Sequence, residues 1–204
     1  MSSGKMVRGL WAATALMVGG YAQAAYTAYI YQSGPNVTAT GSGSINLAAM
    51  AYEGDDMVPP GVQPDPDIIL LGAEGNISVY SGTVNGPGSI GSGGSAIFAD
   101  AGTGPLAGIQ GAYGLIAVPL SYVSGASLGA STATWNGTTI AGLGLVPGTY
   151  TWTWGSGSTA DSFTLRIGVA PSTPTAVPAL SELALIGLAA LLSTVGMSRV
   201  RRRG

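Results

Sequence analysis

The stretch Gly148 to Val169 reads GTYTWTWGSGSTADSFTLRIGV, and its strict alternation leaves little freedom in how it folds. Tyr150, Trp152 and Trp154 alternate with Thr149, Thr151 and Thr153. Gly155-Ser156-Gly157-Ser158 offers a turn, and Phe163, Leu165 and Ile167 resume the alternation. Side chains of a strand point to opposite faces with period two, so this is a β-hairpin with one apolar face and one hydroxyl face. An isolated hairpin is at best marginally stable in water, so the rest of the chain has to supply partner strands. Period-two or β-rich runs recur at Tyr26 to Gln32, Val37 to Leu47, Ile68 to Leu71, Ile77 to Ser81, Tyr113 to Val118 and Ser131 to Trp135, with Gly, Pro or Asn between them. Such spacing predicts an all-β fold: an antiparallel β-sandwich or jelly-roll-like ectodomain over residues 25–170. Thr139 to Leu145 is expected to form a single helical turn. Without the aromatic alternation, the Gly, Ser, Thr and Ala content of this region would read as a disordered spacer.

The charges sit in an unusual pattern. Of seven basic residues, Lys5 and Arg8 lie at the start and Arg199, Arg201, Arg202 and Arg203 at the end, leaving only Arg166 between. From Ala25 to Pro178 there are eight carboxylates against that one arginine, a formal charge of −7. Such a surface repels phosphates, which argues against nucleic acid as a partner. Histidine and cysteine are absent, which removes disulfides, thiolate metal sites, thiol nucleophiles and His-dependent proton transfer together.

Both ends read as addresses. Lys5 and Arg8 precede an apolar run from Gly9 to Tyr21, and Ala22-Gln23-Ala24 supplies the small-x-small pattern of a signal-peptidase site at Ala22 and Ala24. Residues 1–24 are therefore expected to form a signal helix that is cut after Ala24. A linker follows the ectodomain at 171–176, and then comes a C-terminal segment, 177–204. Within it Leu183 to Met197 carries no charge and ends in the basic stop. As a helix these fifteen residues reach about 22 Å at roughly 1.5 Å per residue, against a hydrocarbon core about 30 Å thick. Adding Val177 to Glu182 and letting the arginine stems snorkel makes a transmembrane helix feasible but short. The arginines should stay cytoplasmic, which places the ectodomain outside the inner membrane, as the signal peptide also requires. The segment is then either a permanent anchor or a label that is cut during export.

The order of short Pro-containing motif, brief apolar helix and terminal arginine cluster resembles the C-terminal sorting signals of the PEP-CTERM class, which exosortases of Gram-negative bacteria recognise. The motif residues are Val177, Pro178, Ala179, Leu180, Ser181 and Glu182, followed by Leu183. They lack the Pro-Glu-Pro core and are more similar to the variant Ile-Pro-Thr-Leu-Ser-Glu-Trp. The hairpin GTYTWTWGSG followed by ADSFTLRIG, and less specifically the opening YTAYIYQSGPNVTATGSGSINLA, resemble ectodomains of uncharacterised proteins carrying such signals. The resemblance implies signal peptidase and an exosortase-like processing enzyme as partners, with delivery to the cell surface or extracellular matrix. It implies no activity.

Several motifs look like chemistry. Gly86-Pro87-Gly88-Ser89-Ile90-Gly91 fits G-x-G-x-x-G, but no helical pattern follows, and 34 glycines make chance matches common. Gly125-Ala126-Ser127-Leu128-Gly129 fits a nucleophile elbow, but the chain has no histidine, and its one lysine is Lys5. EGDDMVPPGVQPDPD places Glu53, Asp55, Asp56, Asp65 and Asp67 in what reads as one proline-broken acidic loop. Asp55, Asp56, Asp65 and Asp67 form a weak Ca²⁺ candidate, because calcium wants six to eight oxygens, and two of the loop's carboxylates could also serve as a glycosidase-type acid and base, although a pair so close in one loop has no fixed separation. Solubility is the simpler role. Trp135, Tyr150, Trp152 and Trp154 form either an exposed glycan-stacking platform or part of the core, and large aromatics on one strand face favour the core. The expectation is a non-enzymatic exported protein without cofactor or bound metal, with extracellular polysaccharide as a possible partner. The alternative is a carbohydrate-binding module that uses the aromatic platform.

Overall fold

The computed structural model describes residues 25–172. The signal helix with Ala22 and Ala24, the sorting motif from Val177 to Glu182, the transmembrane helix and the basic stop at Arg199, Arg201, Arg202 and Arg203 lie outside the described residues. Among the described residues no helix is long and apolar enough to cross a membrane.

Fourteen strands follow in order: β1 (Ala25–Ser33), β2 (Asn36–Ser44), β3 (Ala51–Val58), β4 (Gly61–Gln63), β5 (Ile68–Leu71), β6 (Gly75–Ser81), β7 (Val84–Asn85), β8 (Ile97–Phe98), β9 (Ala101–Thr103), β10 (Ala107–Gln110), β11 (Leu115–Pro119), β12 (Ser127–Trp135), β13 (Gly148–Trp154) and β14 (Asp161–Ile167). They form two seven-stranded sheets. The first runs β7-β13-β14-β1-β2-β12-β9 and the second β3-β6-β11-β10-β5-β4-β8. Every pairing is antiparallel except β1 with β14, which run parallel from Ala25 beside Ser162 to Ile30 beside Ile167. The first and last long strands thus lie side by side, so the aromatic hairpin of β13 and β14 is zipped onto the start of the domain.

The alternation read from sequence is the alternation observed. Tyr26, Ala28 and Ile30 of β1, Val37 and Ala39 of β2, Trp152 and Trp154 of β13, and Phe163, Leu165 and Ile167 of β14 point inward. They meet Ile69 and Leu71 of β5, Ile109 of β10, and Ile116 and Val118 of β11 from the second sheet in one continuous core, the arrangement of a β-sandwich. The Tyr26 and Phe163 rings stack at 5.1 Å, and Trp152 meets Phe163 edge-on at 5.9 Å. Gly41 sits directly over the Tyr26 ring, where a Cβ would collide with it, so this position of β2 requires glycine. The β1–β2 hairpin turns on Gly34, with φ of +58°, followed by Pro35, as a primed two-residue turn wants.

Three expectations change. Ala51–Val58, inside the expected acidic loop, is β3, an edge strand paired to β6 along its whole length. Tyr113 belongs to a 3₁₀ turn over Gly111–Tyr113, so its strand begins only at Leu115. The long run from Val37 ends as strand at Ser44. Thr139 to Leu145 does form the expected single turn, with the Leu143 N–H donating to the Thr139 carbonyl at 3.0 Å.

Candidate functional site

The three tryptophans of the domain are structural. Trp135, Trp152 and Trp154 are at most 2 % exposed and belong to the core, as the sequence favoured, so the alternative of an exposed glycan platform with Tyr150 does not hold. Their strands place them inward, and each indole N–H donates to a backbone carbonyl, that of Trp135 in the short strand β8 and those of Trp152 and Trp154 in connecting segments. Trp135 Nε1 donates to Ile97 at 3.1 Å, Trp152 Nε1 to Pro87 at 3.0 Å and Trp154 Nε1 to Asn46 at 2.9 Å. Each ring therefore fills core volume while its one polar atom pins a loop or, for Trp135, the edge strand β8, the usual way a buried tryptophan is satisfied. Tyr150 is half-buried, and its hydroxyl donates to the Val146 carbonyl at 2.8 Å.

The calcium candidates are separated. Asp55 and Asp56 belong to β3 at one edge of the second sheet, while Asp65 and Asp67 lie in the turn between β4 and β5, four strand spacings or about 19 Å of sheet away. Among the described residues no three acidic side chains gather where a metal ion could be held. Asp55 instead accepts a hydrogen bond from Ser78 Oγ at 2.7 Å, and Glu53 accepts one from Ser81 Oγ. Asp67 is fully buried. Its Oδ1 accepts from the Ala112 N–H at 2.8 Å, while Oδ2 has no partner and faces Gly111 and the Trp152 indole. Burial pushes its carboxyl above the usual range, against the pull of the Ala112 N–H.

Asp161 is the second buried carboxylate, 1 % exposed at the start of β14. The Asn46 N–H donates to its Oδ2 at 2.5 Å and the Ser162 N–H to its Oδ1 at 2.6 Å. The same asparagine gives its carbonyl to Trp154 and its Nδ2 to the Ser158 carbonyl at 3.1 Å. On the other side the Ile45 N–H donates to Tyr122 Oη at 2.8 Å and the Leu47 N–H to Ser124 Oγ at 2.8 Å. Ile45 to Leu47 is thus clasped between the aromatic hairpin and the loop after β11. Burial pushes the Asp161 carboxyl up to about 6, against its two backbone N–H partners. Sequence reasoning missed this clasp although the signal was present: Asp161 shares the inward parity of Phe163, Leu165 and Ile167.

Of the remaining motifs, Gly86 to Gly91 is a loop that carries the Pro87 carbonyl under Trp152, and Gly125 to Gly129 runs from a turn into the first residues of β12. No family model, curated protein or solved structure matches the chain.

Proposed function

We propose that this chain is a non-enzymatic exported protein of the cell surface or extracellular matrix, sorted through its C-terminal segment by an exosortase-type system. On this reading a β-sandwich ectodomain stands between a signal helix and a transmembrane helix that is retained or cut. The observation that carries the reading within the domain is where its reactive side chains go. The tryptophans are buried with their indole N–H groups on backbone carbonyls, and Glu53, Asp55, Asp67, Asp100 and Asp161 accept hydrogen bonds from hydroxyls or backbone N–H groups. These groups hold the fold, and the charge pattern of the two ends supplies the address.

The test is the intact mass of the protein from its native host, measured separately in membrane, periplasmic and medium fractions. The expected species begins near Ala25 and ends near Pro178. A membrane-bound species that still carries Arg203 would mean a permanent anchor and would end the sorting-signal reading.

A further inference from the structure

The chain has five asparagines, and two of them, Asn85 and Asn136, precede a glycine. That order matters chemically. The backbone nitrogen after an asparagine can close a five-membered ring onto its side-chain amide, and glycine, with no Cβ, leaves the approach unhindered. The other three asparagines precede Val37, Leu47 and Ile77, whose side chains crowd that nitrogen. The fold treats the two Asn-Gly pairs differently. Asn136 sits in the turn after β12, where its own N–H donates to Asp100 Oδ2 at 2.7 Å and the Gly137 N–H donates to Asn36 Oδ1 at 3.0 Å. Both backbone nitrogens are therefore held. Asn85 ends β7, the outermost strand of the first sheet, two residues long and paired only to β13. Asn85 and Gly86 are exposed, and the Gly86 N–H has no hydrogen-bond partner among the described residues. Packing also fixes the glycine: a Cβ at Gly86 would collide with the Trp152 ring and come within 3.0 Å of the Thr151 carbonyl.

We propose that Asn85 is a self-modification site of the folded protein, converted to aspartate or isoaspartate through attack by the Gly86 backbone nitrogen, while Asn136 is protected. Hydroxide takes the Gly86 amide proton, and the nitrogen attacks Asn85 Cγ. An N–C bond forms, the Cγ–Nδ2 bond breaks, and the side-chain nitrogen leaves as ammonia. Water then opens the cyclic imide at either carbonyl. One route gives aspartate; the other gives isoaspartate, whose main chain runs through Cβ and Cγ. Ring closure requires the Asn85 backbone to rotate, and a two-residue edge pairing opens for this at little cost. Isoaspartate adds a backbone carbon and a carboxylate where Asn85 pairs with Thr153. The next residues carry the Pro87 carbonyl that accepts from Trp152 Nε1 at 3.0 Å. Displacing that carbonyl leaves a buried indole donor unpaired, so a change at one exposed residue is passed to the core.

The test is peptide mapping by mass spectrometry of the full chain in mild detergent, sampled during incubation at mildly alkaline pH, with fragmentation that separates isoaspartate from aspartate. A parallel sample is unfolded in guanidinium chloride. There both asparagines precede an unhindered glycine and should convert at similar rates. In the folded protein Asn85 should convert at least about tenfold faster than Asn136. Asn36→Ala removes the acceptor of the Gly137 N–H and should speed Asn136 while leaving Asn85 unchanged. If that variant fails to fold, the folded and unfolded parent protein still decide. The converted protein, separable by its added carboxylate, should melt at a lower temperature. Equal rates at the two sites in the folded protein, an Asn85 that stays intact while the unfolded chain reacts, an Asn136 rate indifferent to Asn36→Ala in the folded variant, or an unchanged melting temperature after conversion would overturn the proposal.

Discussion

Asp161 makes the stability of the domain depend on pH in a direction opposite to that of a salt-bridged carboxylate. Its folded-state carboxyl titrates at about 6 against an ordinary value of 3.8, because burial penalises the charge more than the N–H groups of Asn46 and Ser162 repay. The folded state therefore holds a proton that the unfolded state has released, and stability rises as that proton is taken up. A shift of about two units corresponds to about 3 kcal/mol, fully present below pH 3.8 and lost as pH rises through about 6. Asp67, raised by the same cause, adds in the same direction, so the diagnostic is a difference between proteins. In Asp161→Asn the side chain cannot ionise, but its amide nitrogen must face a backbone N–H that the carboxylate accepted, leaving one buried donor unpaired at a cost of about 1–3 kcal/mol. Urea unfolding of both proteins from pH 4 to pH 7 measures this. The variant should be clearly weaker at pH 4, and the gap should narrow by about 2 kcal/mol or more by pH 7. Parallel pH profiles, or a gap that widens toward pH 7, would refute an Asp161 carboxyl that is protonated in the fold near pH 5.

Gly111→Ala should cost about 1–3 kcal/mol, because a Cβ there meets both the Trp152 indole nitrogen and Asp67 Oδ2; thermal melting should show a drop of several degrees. Trp154→Phe keeps a ring in the core but strips the Asn46 carbonyl of its donor, and should lower stability by about 1–3 kcal/mol in urea titration. Asp55→Asn, on the exposed edge strand, should shift the midpoint by less than about 0.5 kcal/mol, and added calcium should leave the melting temperature of the parent protein unchanged. A calcium-dependent rise in melting temperature would show that the divided carboxylates meet after all.

Where a strand has one face in the core, the sequence carried enough information to place it. β1, β13 and β14 stand where the alternation of Tyr26, Ala28 and Ile30 and the alternating aromatics put them, since burial on one side imposes period two on residue choice, and β5, covered on both faces, shows instead as the unbroken apolar run Ile68 to Leu71. β7, β8 and β9 are two or three residues long, too short for any period to show, and exist only because a longer neighbour offers its edge. The tryptophans were legible as core but not as clamps on distant backbone: their partner carbonyls, at Ile97, Pro87 and Asn46, lie 38 to 108 residues away in sequence.

β3 shows how an exposed strand comes to look like a loop. Ala51 to Val58 has no fully buried residue, so nothing forces its apolar side chains onto alternate positions, and the cluster of Glu53, Asp55 and Asp56 reads as solvent-seeking. It is a strand because β6 has an open edge. The ladder from Ala51 beside Ser81 to Val58 beside Gly75 satisfies backbone groups, and the side chains add the Ser78 and Ser81 hydroxyl bonds. The acidic composition is then explained by position. A terminal strand exposes one row of unpaired N–H and C=O groups to any other extended chain, and like charges along that row discourage edge-to-edge pairing between copies. A bulge between Tyr52 and Gly54 twists the same edge further. Glu53, Asp55 and Asp56, which first suggested part of a metal loop or an acid–base pair, thus protect a sheet edge, whereas Asp65 and Asp67 lie four strands away in the turn between β4 and β5.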